Sequence, residues 1–110
     1  MKQYPSGQIP ANEASRGHAL LNLGRYDEAE RVFECYKDRY PDKPQGYLGY
    51  ARTAFKRGDQ ETALERWDAL LERFPDHEDG LSGKGHALLN LGRYDEAERV
   101  FECYKDRYPD

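Results

Sequence analysis

Few residues in this chain could support catalysis or bind a metal, because the sequence has only three histidines and two cysteines. His18 and His86 lie 68 residues apart, and His77 is expected in a turn beside a proline. No Ser/His/Asp or Cys/His group has a usable catalytic spacing. The glycines in 80–85 superficially resemble a phosphate loop, but no strand pattern precedes them. The sequence therefore predicts no enzyme activity, no metal and no cofactor.

Composition narrows the class of protein further. The chain has 110 residues and a formal net charge of −4, with 37% hydrophobic, 35% charged and 13% aromatic residues. This apolar content is low for one globular core, yet disordered chains lack aromatic residues. No apolar stretch is long enough for a membrane span or a signal peptide, so a cytoplasmic location is expected. The acidic balance argues against nucleic-acid binding.

An internal repeat decides the organisation of the chain. Residues 17–42 and 85–110 are identical over 26 positions, at an offset of 68. Half of that offset, 34, aligns the middle of the chain with both copies. The predicted organisation is one domain with an N-terminal tail at 1–9 and units at 10–43, 44–77 and 78–110.

Each unit has the pattern of two helices. The apolar residues of 29–36 recur at i, i+3, i+4 and i+7, which is a helical stripe. Gly24 is a residue that ends a helix in the left-handed conformation, and Tyr40-Pro41 ends the next helix. No stretch alternates with the period of a strand, so the predicted fold is all-α. Six helices are predicted, at 11–23, 26–39, 45–57, 60–73, 79–91 and 94–107.

The unit resembles the tetratricopeptide repeat, a 34-residue helix–turn–helix. The shared pattern is Ala-x3-aromatic followed by Pro, together with a small residue in the first helix. The matching residues are Ala29, Phe33, Pro41, Ala63, Trp67, Pro75, Ala97, Phe101 and Pro109, with Gly17, Ala51 and Gly85 as the small residues. Glu13, Arg16 and Lys84 depart from the pattern. The resemblance covers about residues 10–110 and implies a right-handed superhelix, with the first helices along a concave face.

By analogy with this family, the first helices line a groove that could bind a peptide. The expected groove residues are His18, Leu21, Asn22, Leu48, Arg52, Phe55, Lys56, His86, Leu89 and Asn90, beside Ala14 and Ser82. This strip carries Arg52 and Lys56 against few acids, chiefly Asp79. A peptide with a carboxylate could dock there, although these could also be ordinary solvated residues.

The family's carboxylate clamp, which grips chaperone tails, is expected to be absent. The resemblance implies Lys and Asn at positions that Ala14, His18 and Ser82 occupy here. A role as a chaperone co-factor is therefore not expected.

In such an array, equivalent residues of the first and third units are far apart. Neighbouring helices lie about 8–10 Å apart, so His18 and His86 are too distant to share a metal. Cys35 and Cys103 exceed the ~7 Å Cα separation that a disulfide allows. We expect two free cysteines near the surface, with an intermolecular bridge on oxidation as the minor alternative.

The last predicted helix has no following helix to cover it. It has the sequence of helix 26–39, which helix 45–57 should cover, so an apolar face is expected at Val100, Phe101, Tyr104 and Tyr108. We expect self-association there, either by pairing of two such helices or by exchange with helix 45–57 of another chain. A fragment cut from a longer array would show the same face.

The function expected from the sequence is that of a protein–protein interaction scaffold that binds a protein or peptide. The chain is expected to self-associate as a homo-oligomer. Nucleic acid and membranes are not expected as partners. The unchanged 26-residue copy also suits a designed or truncated repeat scaffold with no evolved ligand, because repeats usually drift at surface positions.

Overall fold

The structure, a computed structural model, describes residues 11–109, so the predicted tail at 1–9 lies outside it. Six α-helices and no strand occur within that range. Their bounds are α1 Ala11–Asn22, α2 Tyr26–Arg39, α3 Pro44–Arg57, α4 Gln60–Arg73, α5 Glu78–Asn90 and α6 Tyr94–Arg107. The all-α prediction is confirmed, and each predicted boundary lies within one residue of the observed one. None of these helices has the length and apolarity that crossing a membrane would need.

The six helices form three pairs, α1 with α2, α3 with α4 and α5 with α6, and the turn inside each pair depends on a glycine in the left-handed region. Gly24, Gly58 and Gly92 have φ of 78°, 92° and 77°, and they follow α1, α3 and α5. At the first of these turns, the N–H of Gly24 donates to the carbonyl of Leu21 and that of Arg25 to the carbonyl of Leu20. These bonds satisfy two of the last carbonyls of α1, and the helix ends at this glycine as the sequence predicts.

The start of α4 has a side-chain cap. Asp59 accepts from the backbone N–H of Thr62 at 3.2 Å and from its hydroxyl at 2.8 Å. These two bonds favour the ionised carboxyl and hold the pKa of Asp59 below its usual value. The cap fixes where the second helix of the middle pair begins.

The core consists of one large aromatic ring per pair, held against small residues of the first helices. Phe33 of α2 is fully buried, and a Cβ placed on Gly17 of α1 or Gly49 of α3 would collide with its ring. Trp67 of α4 is 3% exposed and lies in the same way against Gly83 of α5. The seam therefore repeats from pair to pair, which gives an elongated molecule of 50 × 27 × 22 Å. This seam explains the low apolar content, since no central core has to be filled.

Candidate functional site

A cavity of about 360 Å³ opens between α3, α4 and α5. It brings together four of the predicted groove residues, which α3 and α5 supply, and it adds residues of α4 and α5. The lining residues are Arg52, Phe55, Lys56, Trp67, Asp79, Ser82, Gly83 and His86. A cleft that combines aromatic side chains with a few charged and polar groups is a usual form of ligand site.

The charges around this cavity favour an anion. Arg52 pairs with Asp79 at 3.5 Å, and both side chains are partly exposed, so the pair contributes little to stability. Lys56 is exposed and forms no ion pair within residues 11–109. Two cationic side chains thus face one carboxylate, on a chain whose net charge is −4.

The two groove histidines are held in the same way, as expected for equivalent positions. Nδ1 of His18 donates to the carbonyl of Ala14 at 3.0 Å, and Nδ1 of His86 donates to the carbonyl of Ser82 at 2.7 Å. Each ring packs edge-on against the phenylalanine of its own pair, with centroids 5.0 and 5.4 Å apart. Nε2 is therefore the nitrogen of each ring that is not bonded to its own helix, and that of His18 lies 3.4 Å from Nη1 of Arg52.

One predicted groove residue is wrong. Leu21 is 3% exposed and packs with Leu20, Ala29 and Phe33 in the core. It is buried because α3 lies against α1 and covers it, whereas its counterpart Leu89 is 39% exposed. A peptide in the groove could not reach Leu21.

The remaining predicted groove residues lie away from the cavity lining. Asn22, Leu89 and Asn90 are exposed at the ends of α1 and α5. Leu48 is half-buried and packs against the core of the middle pair. The predicted groove residues that line the cavity therefore all belong to α3 and α5.

Trp67 is the lining residue that the sequence pattern assigns only to packing. Phenylalanine stands at the equivalent positions 33 and 101, so the change to tryptophan in the middle unit is the signal that could have identified it. Its indole Nε1 is buried and has no acceptor within residues 11–109. The sequence shows the residue but cannot show that its edge reaches the groove.

The remaining histidine and the two cysteines do not form a catalytic or metal site in residues 11–109. His77 caps α5, because its Nδ1 accepts from the N–H of Gly80 at 3.2 Å. Cys35 is exposed and Cys103 half-buried, and both thiols are free. In residues 11–109 no group of three or more His, Cys, Asp or Glu side chains is placed to hold a metal ion.

A second surface is the outer face of α6, which has the same sequence as α2 in a different environment. In α2, which α3 covers, Phe33 is fully buried and Tyr36 is 3% exposed. In α6, Phe101 and Tyr104 are only half-buried. Val100 and Tyr108 are half-buried too, but so are their counterparts Val32 and Tyr40. Tyr94, which the sequence pattern does not place on this face, is 66% exposed, whereas its counterpart Tyr26 packs beneath α3.

The tyrosines of α6 turn their hydroxyls back to α5 and its preceding turn. Tyr104 donates to Glu78 at 2.8 Å, and Tyr108 donates to the carbonyl of Asp76. The carboxylate of Glu78 raises the pKa of Tyr104, because it accepts a hydrogen bond from the protonated hydroxyl and would repel the phenolate. These bonds hold both hydroxyls against α5 and its preceding turn, while the two residues stay half-buried.

Comparison with known proteins gives a consistent result. The statistical model of the tetratricopeptide repeat family matches residues 15–65 and 51–110. The first such domain of the human RPAP3 protein superimposes with a TM-score of 0.82 at 20% identity, covering 89% of this chain and 77% of that domain. The first such domain of Spaghetti (RPAP3), bound to the HSP90 peptide SRMEEVD, gives 0.82 at 20% identity, covering 93% and 86%.

A thermophilic repeat protein of Thermus thermophilus has higher identity, 28%, with a TM-score of 0.76. The alignment covers 89% of this chain and 56% of the Thermus protein. At 20% identity the RPAP3 structures show the fold alone. No curated protein sequence matches the chain.

Proposed function

Since the chain belongs to the tetratricopeptide repeat family of protein-interaction scaffolds, we propose that its groove binds a peptide through a carboxylate. The observation that carries the proposal is the cavity between α3 and α5, where Arg52 and Lys56 face the single carboxylate of Asp79. Phe55 supplies an apolar wall for the peptide. The proposed role involves no catalysis.

The structure of Spaghetti (RPAP3) with SRMEEVD supports a peptide ligand, because that peptide is acidic and that fold is shared. Ala14, His18 and Ser82 replace the Lys and Asn of the family's carboxylate clamp here. In this chain the anion would therefore have to be held by Arg52 and Lys56. We accordingly expect a preference for acidic peptides in general, without a requirement for the chaperone tail.

Replacing Arg52 or Lys56 by alanine is expected to weaken binding of acidic peptides by roughly fivefold each, because a partly exposed charge contact contributes about 1 kcal/mol. The measurement is affinity capture from a random peptide library, followed by anisotropy titration of the enriched peptides. Lys43→Ala is the matched control, since Lys43 is exposed, lies before α3 and does not line the cavity. Binding that ignores both groove substitutions would remove the electrostatic proposal.

A second proposal concerns α6: its outer face pairs with the same face of another copy. The observation behind it is the greater exposure of Phe101 and Tyr104 than of Phe33 and Tyr36 in the identical α2. The first turn of α6 is acidic and its last turn basic. An antiparallel pair would place each acidic end beside a basic end, so a two-fold pairing is favoured on charge as well as on apolar burial.

Tyr104→Lys is expected to weaken self-association at least about fivefold, since a buried aromatic at the centre of an interface typically contributes more than about 1 kcal/mol. Sedimentation velocity across the micromolar range measures the effect. Leu23→Lys is the matched control, because Leu23 is 69% exposed at the opposite end of the array. Wild-type protein that stays monomeric over that range rules out the pairing.

The control also separates two geometries. An association that Leu23→Lys weakens as much as Tyr104→Lys does would be head-to-tail, with α1 of one copy on α6 of the next. If the wild type is monomeric and the library enriches no peptide, the repeat scaffold without an evolved ligand becomes the better description of this chain.

A further inference from the structure

We propose that the indole N–H of Trp67 is a hydrogen-bond donor for the ligand carboxylate in the groove, so that Trp67 determines specificity at this site. The inference rests on the proposed peptide-binding function and names the atom that recognises the ligand oxygen. Trp67 is 3% exposed, yet it lines the cavity that Arg52 and Lys56 border. A donor and two cations therefore border one cleft.

The indole donor is unsatisfied in the described part of the chain. Nε1 of Trp67 is buried and finds no acceptor among residues 11–109. A buried N–H without an acceptor costs the full desolvation of that group, and native proteins rarely leave one. Phenylalanine fills the equivalent place in the other two units at no such cost. The tryptophan is therefore best explained by an acceptor that arrives with a ligand.

The nitrogen-bearing edge of the indole lies at the cavity wall. A Cβ on Gly83 would collide with Cε2 and Cζ2 of Trp67, and Cε2 is bonded to Nε1. Gly83 and Trp67 both line the cavity, so this edge of the ring meets α5 at the cavity wall, with Nε1 itself buried. Because residue 83 is a glycine, the backbone of α5 lies directly against this edge, and any side chain there would collide with the ring.

The charge around the cleft favours an anionic acceptor. A carboxylate oxygen that accepts from Nε1 would lie in a cleft bordered by Arg52 and Lys56, and hydrogen bonds to a charged acceptor are stronger than neutral ones. Because Nε1 is buried in the unliganded structure, a ligand reaches it only with a local movement of the lining residues, of which Arg52 and Lys56 are long and flexible. A neutral amide oxygen would gain the hydrogen bond without the charge contacts.

The chain has one tryptophan, so ¹⁵N-labelled protein gives one indole N–H signal. Three probes are titrated at constant ionic strength to roughly 50 mM, where a millimolar site is saturated. They are acetyl-glutamic acid α-amide, which carries a side-chain carboxylate, acetyl-alanine, which carries a terminal carboxylate, and acetyl-glutamine α-amide, which is neutral. We expect the indole signal to shift saturably with at least one acid and not with the neutral amide, and the responding acid identifies the source of the carboxylate.

Trp67→Phe is the matched variant, because phenylalanine occupies positions 33 and 101 of the same repeat. We expect it to fold and to bind the responding acid about tenfold more weakly. Its binding is measured from the shifts of the backbone amide signals of Lys56 and His86. If those amides shift while the indole does not, or if the variant binds equally well, the inference is overturned and the peptide-binding groove stands. If no acid shifts any signal, the inference is also overturned, and the library capture decides the groove independently.

Discussion

Gly46→Ala is expected to destabilise the protein by about 2 kcal/mol, whereas the same change at the equivalent Gly80 is expected to be neutral or stabilising by up to about 1 kcal/mol. Both glycines are the third residue of their helices, and both are buried. A Cβ on Gly46 would lie 2.6 Å from the backbone of Lys37, which cannot move without separating α2 from α3. A Cβ on Gly80 would meet only the tips of Leu70 and Leu71 at 3.0 Å.

Urea unfolding followed by circular dichroism measures both variants, with the wild type as reference. Because alanine favours a helix over glycine at both sites, any difference in sign comes from the neighbour. Equal changes at the two positions would mean that α3 does not approach α2 more closely than α5 approaches α4.

Phe33→Ala is expected to lower the free energy of unfolding by roughly 3–5 kcal/mol, and Phe101→Ala by about 1–2 kcal/mol. The two residues have the same sequence around them and the same partner, a glycine of their own first helix. They differ in burial. Phe33 is fully buried because Gly49 of α3 packs against its ring, whereas Phe101 is only half-buried. The larger loss is a large share of the stability of a domain of this size.

The comparison is made at protein concentrations where sedimentation shows monomer. Under those conditions, equal losses for the two phenylalanines would contradict the difference in cover. At high concentration, a loss at Phe101 that approaches the loss at Phe33 is the expected sign of pairing through α6.

The fold of this chain could be predicted almost completely from its sequence, because a local signal is repeated. The 34-residue period, the glycines after the first helices and the apolar stripes all depend on residues close together in the chain. The observed bounds of α1, α3 and α5 differ from the predicted ones by one residue. Pro44 is suited to the first position of a helix, and His77 rather than a later residue caps α5.

The candidate site could be predicted only in part, because its composition depends on how neighbouring units approach. Arg52 and His86 could be assigned to a shared face from their equivalent positions. Whether Leu21 lies in the groove or in the core depends on how closely α3 packs against α1. The sequence around Leu21 does not indicate how close that packing is. Trp67 has a packing role and a groove edge at once, and a one-dimensional pattern distinguishes only the first.

The identical sequences of α2 and α6 make the protein its own reference for hydrogen exchange. Intrinsic exchange rates of amides depend on the neighbouring side chains, and these are the same at every position of the two helices. The ratio of protection at paired amides, such as those of Phe33 and Phe101, therefore measures the local opening free energy that α3 adds. One duplicated segment thus reports, residue by residue, how much a repeat gains from its neighbour.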